Sequence, residues 1–248
     1  MDFTRPLISG RLLRRYKRFL ADVELADGTV VTAHCANPGS MMGLSDPGLN
    51  VWLEPNNDPK RKLKYTWRLV ELPNGGLAGV DTGVPNKVVA EALSSRKVPE
   101  LAAYETVRPE QRYSANSRID FLLQGDGLAD CYVEVKNVHL ERTQGLAEFP
   151  DCITDRGAKH LGDLSNEVDR GHRAVMLYVV QMSTPESFDL ARDIDPAYAE
   201  AFAAATARGV EVLVWRCMLG LHRIMLERPL PYVGPFGHGP VSAGMTPG

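Results

Sequence analysis

Two rhythms of apolar and polar positions divide the chain. From residue 6 to about 84, short alternating runs are separated by turn residues: RFLADVEL, an Asp27-Gly28 turn, TVVTAHC, the loop NPGSMMGLSDPG, NVWLEP, an NNDPK turn and RKLKYTWRLVEL. Period-two runs at this spacing predict a small all-β barrel or sandwich. Within KLKYTWRL the same period puts Lys62, Lys64, Thr66 and Arg68 on one face and Leu63, Tyr65, Trp67 and Leu69 on the other. Tyr65 and Trp67 are therefore expected in the core, and the basic row on the exposed side.

Beyond Pro85 helical and strand patterns alternate. The sequence predicts a helix over 86–98, strands in RIDFLLQ and CYVEVKN, a helix over 154–171, a buried strand over 173–181, a helix over 196–209 and a strand over 210–218. Thr154 is placed to cap the second helix and Gly171 to end it, while Asp195-Pro196 starts the third and Gly209 closes it. The expected architecture has two domains: a β-barrel over 1–84, an α/β (or α+β) domain with a mixed central sheet over 85–230, and a loose tail over 231–248.

Composition adds limits. The chain has 248 residues, 44% hydrophobic and 24% charged, as in ordinary globular proteins. No apolar run approaches the ~18 residues that span a bilayer, and the N-terminus is too charged for a signal peptide, so a soluble cytoplasmic protein without a membrane partner is expected. Four scattered cysteines, Cys35, Cys131, Cys152 and Cys217, have neither zinc nor redox spacing. The net charge of −3 conceals an asymmetry, since residues 1–84 hold 11 Lys/Arg against 9 Asp/Glu and the remainder 17 against 22. One basic cluster is Arg11, Arg14, Arg15, Lys17 and Arg18; another is Lys60, Arg61, Lys62, Lys64 and Arg68. Both suit a phosphate backbone, and both would also suit a solvated face.

Chemistry concentrates in SRIDFLLQGDGLADCYVEVKNVHL, residues 117–140. A hairpin around Gly127 would face Phe121 with Val133 and Leu123 with Cys131, and would set Asp120 directly opposite Glu134. One face is then apolar, and Asp120, Glu134 and Lys136 gather on the other. Adjacent carboxylates repel, and a divalent cation between them removes the penalty; oxygen ligands of this kind suit Mg²⁺ or Mn²⁺. Lys136 would orient a water or offset phosphoryl charge, which together describes metal-assisted phosphodiester hydrolysis. An ion pair of Lys136 with either carboxylate is the plain structural alternative.

The order helix, Asp120 strand, Glu134-x-Lys136 strand, helix, strand resembles the PD-(D/E)XK nuclease core, with Arg118-Ile119 where proline usually precedes the aspartate. NPGSM at 37–41, RKLKYTW, SRIDFLL, YVEVKNV, FPDCITDRGAKHL at 149–161 and DIDPAYAEAF at 193–202 resemble the sugar fermentation stimulation protein (SfsA) family. That resemblance implies an OB-like barrel followed by a restriction-endonuclease-like domain, DNA binding, and a regulatory link to maltose metabolism. It carries Asp120 and Glu134 over as metal ligands and Lys136 as the catalytic lysine. Glu91 stands on the preceding helix where such nucleases often supply another acidic ligand; a surface role is equally open.

Arg156 and His160 are four apart on the next helix and share a face, as phosphate-binding or electrostatic groups or, for Arg156, as a surface residue beside Asp155. On the barrel side Arg11, Arg14, Arg15, Lys62, Lys64 and Arg68 are the candidate contacts to DNA, single-stranded or without sequence preference. Asn-Pro-Gly in the NPGSM loop reads first as a turn. The histidines outside the site, His139 among them, have no metal-ligand spacing. Three functions fit: a metal-dependent nuclease, a catalytically silent DNA-binding regulator, and a hydrolase of nucleotides or small phosphates. A homodimer is among the assemblies left open.

Overall fold

The computed structural model describes residues 1–112 and 118–234. Strands β1 (Ile8–Tyr16), β2 (Leu20–Leu25), β3 (Val30–His34), β4 (Asn50–Pro55), β5 (Tyr65–Glu71) and β6 (Leu77–Gly79) form a sheet ordered β3-β2-β1-β4-β5-β6. A parallel pairing of β3 with β5 closes the first five into an OB-fold barrel. Its interior holds Leu12, Val23, Ala33, Leu53 and Trp67, all fully buried. Gly10 on β1 is required by close approach, because a Cβ there would lie 2.5 Å from Val23 Cγ1 and 2.9 Å from the Glu24 carbonyl.

The barrel departs from expectation at two basic stretches. Residues 8–16 form the central strand β1, whose alternation is hidden by a bulge between Leu12 and Arg14 and by its arginines. The predicted exposed row on β5 is not one. That strand begins at Tyr65, so Lys62 and Lys64 precede it, Thr66 is buried, and Arg68 is ion-paired with Glu54 and Asp81. The outer face of β5 is covered rather than solvated, since Thr4 and Arg5 also donate to Glu54 Oε1.

The second unit continues through α1 (Val84–Ser94), β7 (Thr106–Arg112), β8 (Arg118–Gln124), β9 (Cys131–Val138), β10 (Leu140–Thr143), β11 (Leu146–Phe149), α2 (Asp155–Asp169), β12 (Arg173–Val180), β13 (Ser187–Leu190), α3 (Pro196–Ala207), β14 (Glu211–Leu219) and β15 (Ile224–Pro229). Its main sheet runs β15-β14-β12-β9-β8-β7 and is mixed: β9, β12 and β14 are parallel, and the outer strands antiparallel. β10, β11 and β13 make a small second sheet. Alternate residues of β12 explain its continuous apolar run. Ala174, Met176, Tyr178 and Val180 pack in one cluster with Leu161, Leu164 and Phe202, while Val175, Leu177 and Val179 pack in another with Val84, Val88 and Val89. The first cluster is continuous with the barrel core.

The predicted caps form as expected. Thr154 accepts from Gly157 N and Asp195 from Tyr198 N, and Gly171 and Gly209 take φ of +86° and +101°. α1 is shorter than the predicted 86–98, because Arg96 adopts φ +54° and ends it. The edge strand β7 escaped prediction because Pro109 interrupts it, which only an edge tolerates. Residues 231–234 of the expected tail are docked: Phe188 N donates to the Pro231 carbonyl and Val233 N to that of Phe188. Residues 235–248 lie outside the described residues. Among the described residues no helix is long and apolar enough to cross a membrane.

Candidate active site

The β8–β9 hairpin turns at Gly127, φ +69°, in the predicted register, Phe121 opposite Val133 and Leu123 opposite Cys131. The pairing ends at Phe121/Val133, so the expected direct pairing of Asp120 with Glu134 does not form. Instead Asp120 inserts its own side chain, and Val135 N donates to Asp120 Oδ2 at 2.8 Å. From the first turn of α1, Asn86 Nδ2 donates to Asp120 Oδ1 at 2.7 Å. Glu134 is 3% exposed; its Oε1 accepts from Lys136 Nζ at 2.8 Å and meets His160 Nδ1, which α2 brings in. Arg156, one turn earlier on α2, donates from Nε to His160 Nε2 at 3.3 Å. Glu134 Oε2 is buried with no partner among the described residues.

The two carboxyls are driven in opposite directions. Burial, and then the charge of nearby Glu134, raises Asp120 above the usual aspartate range against the Val135 and Asn86 donors and Lys136. Burial would raise Glu134 as well, but His160 and Lys136 together hold it below the glutamate range. The site therefore sets one carboxyl held down by its partners beside one held up by burial and by its neighbour, and Asp120 itself makes no ion pair among the described residues. An unpartnered buried carboxylate oxygen is costly, and a cation is the group that would satisfy both features. Only two acidic side chains converge: among the described residues no group of three or more His, Cys, Asp or Glu is placed to hold a metal. Two carboxylates suit an ion that keeps most of its waters.

Glu91 is not part of this arrangement. It is exposed, takes the amino group of Met1, and lies five residues, roughly 140° of helical rotation, from Asn86. Asn86 is the α1 residue that reaches the site, and its sequence signal was only a poor helix former kept just after Pro85. The barrel arginines are largely engaged internally: Arg11 with Glu24, Arg14 with Asp22, and Arg68 as described. Arg15 gathers the carbonyls of Arg18, Asn37, Gly39 and Ser40. Lys62 is exposed, and Lys64 Nζ donates to the Asp58 carbonyl. Lys17, Arg18, Lys60, Arg61 and Lys62 make no side-chain ion pair among the described residues.

The NPGSM loop is more than a turn. Asn37 is fully buried, donates to the Val80 carbonyl at 3.0 Å and accepts from Gly39 N at 2.8 Å. Met41 N donates to Asp151 Oδ2 at 3.2 Å; the same oxygen is 3.2 Å from His139 Nε2, and His139 Nδ1 is 2.7 Å from Asn137 Nδ2. Gln181 Nε2 donates to Asn137 Oδ1 at 2.6 Å. Burial acts to raise Asp151, but His139 and the Met41 N–H pull it down to about 2. This seam ties the barrel loop to the end of β9, immediately past Lys136, and to the lead into α2.

The family model for the SfsA N-terminal OB domain matches residues 13–80, and that for the sugar fermentation stimulation protein RE domain matches residues 83–223. The chain belongs to the sugar fermentation stimulation protein family. A family member from Ruegeria pomeroyi is 64% identical over 214 residues, covering 86% of this chain and 93% of its own length. One from Dinoroseobacter shibae is 56% identical over 241 residues, covering 97% and 98%. SfsA of Pyrococcus furiosus, solved in complex with Ca²⁺, is 26% identical and superposes with a TM-score of 0.82 over 93% of this chain and 96% of that one. The two family matches correspond to the barrel and to the mixed-sheet unit that carries Asp120, Glu134 and Lys136.

Proposed function

We propose that this family member binds DNA and hydrolyses its phosphodiester bonds with a divalent cation, Mg²⁺ or Mn²⁺, held by Asp120 and Glu134. The observation that carries this reading is the unpartnered, buried Glu134 Oε2 next to an Asp120 that is held by neutral donors and makes no ion pair among the described residues. The Ca²⁺ of the Pyrococcus furiosus relative supports a divalent ion, and a donor set of two carboxylates favours a smaller ion that retains waters. When bound, such an ion supplies Lewis-acid polarisation and a water of lowered pKa.

The chain's own groups do the rest. Lys136 Nζ spends one of its three N–H donors on Glu134 Oε1, and the others are available to orient a water or a phosphoryl oxygen. Exposed Arg156, at the start of α2, meets the phosphate backbone beside the site. On the barrel, Lys17, Arg18 and the 60–62 run hold the strand, and Phe19, 45% exposed at the β1–β2 tip, offers a face for base stacking. A cytoplasmic location agrees with four cysteines that are all unpaired.

A second reading rests on a different observation. Lys136 and His160 both engage Glu134 Oε1, so the glutamate's charge is already matched without a metal. A silent DNA-binding regulator of sugar metabolism, as the family's name suggests, would retain such a self-neutralised site. The deciding experiment incubates purified protein with Mg²⁺ or Mn²⁺ and single- and double-stranded DNA, RNA and nucleotides, beside Asp120→Ala and Lys136→Ala. Cleavage by the wild type alone supports the nuclease, and equal cleavage by the variants overturns the site. No cleavage by any form, with metal-independent DNA binding retained, supports the regulator.

A further inference from the structure

His160 is 6% exposed and contacts three charged side chains with two ring nitrogens. Arg156 Nε lies 3.3 Å from Nε2, and a guanidinium can only donate, so Nε2 must accept. Neither a protonated ring nor the Nε2–H tautomer can do that. The ring proton is therefore on Nδ1, and the acceptor it meets is Glu134 Oε1. Lys136 Nζ stands 3.1 Å from Nδ1, but ammonium and Nδ1–H are both donors; its bond goes to Glu134 Oε1, at 2.8 Å. One carboxylate oxygen thus takes two donors, and the other is left buried and unpartnered.

Resting on the metal-site reading above, we infer that Arg156 and His160 are positioning residues for Glu134. Arg156 selects the Nδ1–H tautomer of His160, and His160 with Lys136 pins Oε1 so that Oε2 is the oxygen presented to the cation. Arg156 is exposed and His160 buried, so the pair links the surface that would meet phosphate to the inner carboxylate. A phosphate-binding role for His160, open from the sequence, is replaced by this one, because both its nitrogens are engaged within the protein.

Two measurements test the inference. In metal-free protein with ¹⁵N-labelled histidine, His160 is expected as the Nδ1–H tautomer, and Arg156→Ala is expected to shift it toward a mixture. In Mn²⁺ calorimetry, His160→Ala is expected to bind about 10- to 100-fold more weakly, whereas His160→Asn, whose Nδ2–H stands in for Nδ1–H, stays within about threefold of wild type. A wild-type Nε2–H tautomer, or His160→Ala binding Mn²⁺ as wild type does, overturns the inference. If His160→Ala does not fold, exposed Arg156→Ala decides: an unchanged tautomer and an unchanged affinity overturn it. Wild-type protein whose Mn²⁺ binding is absent or insensitive to Asp120→Ala sinks the metal-site reading instead, and the tautomer spectrum still judges the Arg156–His160 geometry.

Discussion

Among the described residues, two buried groups each set a pair of carboxylates beside one lysine or arginine, with His160 added in the second, and they end in opposite states. In the barrel, Arg68 reaches both Glu54 and Asp81, and Thr4 and Arg5 supply further donors to Glu54. Glu54 is held below the glutamate range although burial alone would raise it. In the mixed-sheet unit, Lys136 reaches Glu134 alone, Asp120 is raised, and Glu134 Oε2 has no partner. The forked guanidinium satisfies two carboxylates at once where an ammonium, a compact point charge, leaves one short. The first group is complete as a structural ion cluster; the second leaves one buried carboxylate oxygen without a partner among the described residues, which is the feature the metal-site proposal rests on.

The largest effect expected from this difference is on catalysis. Lys136→Ala should lower the DNA-cleavage rate by about 10²- to 10³-fold, the usual cost of one group that stabilises developing charge, and Asp120→Ala by at least as much. Single-turnover assays at saturating Mn²⁺ check both. Cleavage lost equally on Arg68→Lys in a folded protein would erase the distinction between the two groups.

Stability should respond in the reverse order. Removing Arg68 leaves two buried carboxylates unpaired, so Arg68→Ala is expected to cost about 3–5 kcal/mol in urea unfolding. Asp120→Asn keeps an acceptor for Val135 and removes the repulsion from Glu134, so metal-free protein should be unchanged or more stable by about 1 kcal/mol. Destabilisation of that variant by more than Arg68→Ala would contradict the assignment of strain to the Asp120 side.

This contrast also explains what the sequence could and could not convey. The proximity of Asp120 to Glu134 and Lys136 was legible because a two-residue period and a glycine turn build the hairpin; its register formed from Leu123/Cys131 to Phe121/Val133 but stopped short of pairing Asp120 with Glu134. Thr154, Asp195, Gly171 and Gly209 were legible because caps are local. Asn86, His160 as a partner of Glu134, and the Asp151–His139 seam depend on how separate elements dock, which no local spacing encodes. The basic row on β5 failed for the same reason: alternation assigns a face, and only the tertiary fold decides whether solvent or Glu54 and Asp81 lies over it. Glu91 was placed by analogy to helix position, and the rotation of α1 turned it away.

Acid should separate the two kinds of carboxylate. Asp151 has a folded pKa of about 2, below its ordinary value, so its contribution is present above about pH 4 and is lost as pH falls toward 2. That loss is of order 2 kcal/mol and should vanish in Asp151→Asn. Asp120 works in the other direction. Its folded pKa is raised, so ionising it costs stability in metal-free protein as pH rises through that pKa, and acidifying back through it recovers the loss. Asp120→Asn should remove this upward limb and leave the Asp151 limb in place, as thermal unfolding against pH would show. A wild-type profile with no Asp120 limb would mean that its counter-charge is already supplied.

The smallest expected effect concerns DNA binding, and it extends the same logic to the surface. Arg11 and Arg14 stand in the sequence beside Lys17 and Arg18, but the first two face Glu24 and Asp22 while the latter two have no ion pair among the described residues. A cation whose charge is matched by a neighbouring carboxylate releases little counterion on meeting a phosphate; an unmatched one releases close to its full share. Lys17→Ala and Arg18→Ala should each reduce the slope of log affinity against log salt by about one, or about 0.7 on single strands, with Lys62→Ala behaving similarly. Arg14→Ala should leave the slope nearly unchanged, because an arginine held by Asp22 makes no phosphate contact whose counterions would be released, although the uncovered Asp22 weakens affinity by repulsion. Equal slopes for Arg14→Ala and Lys17→Ala would mean that the strand displaces the barrel's ion pairs on binding, and that internal pairing does not decide which basic residues meet DNA.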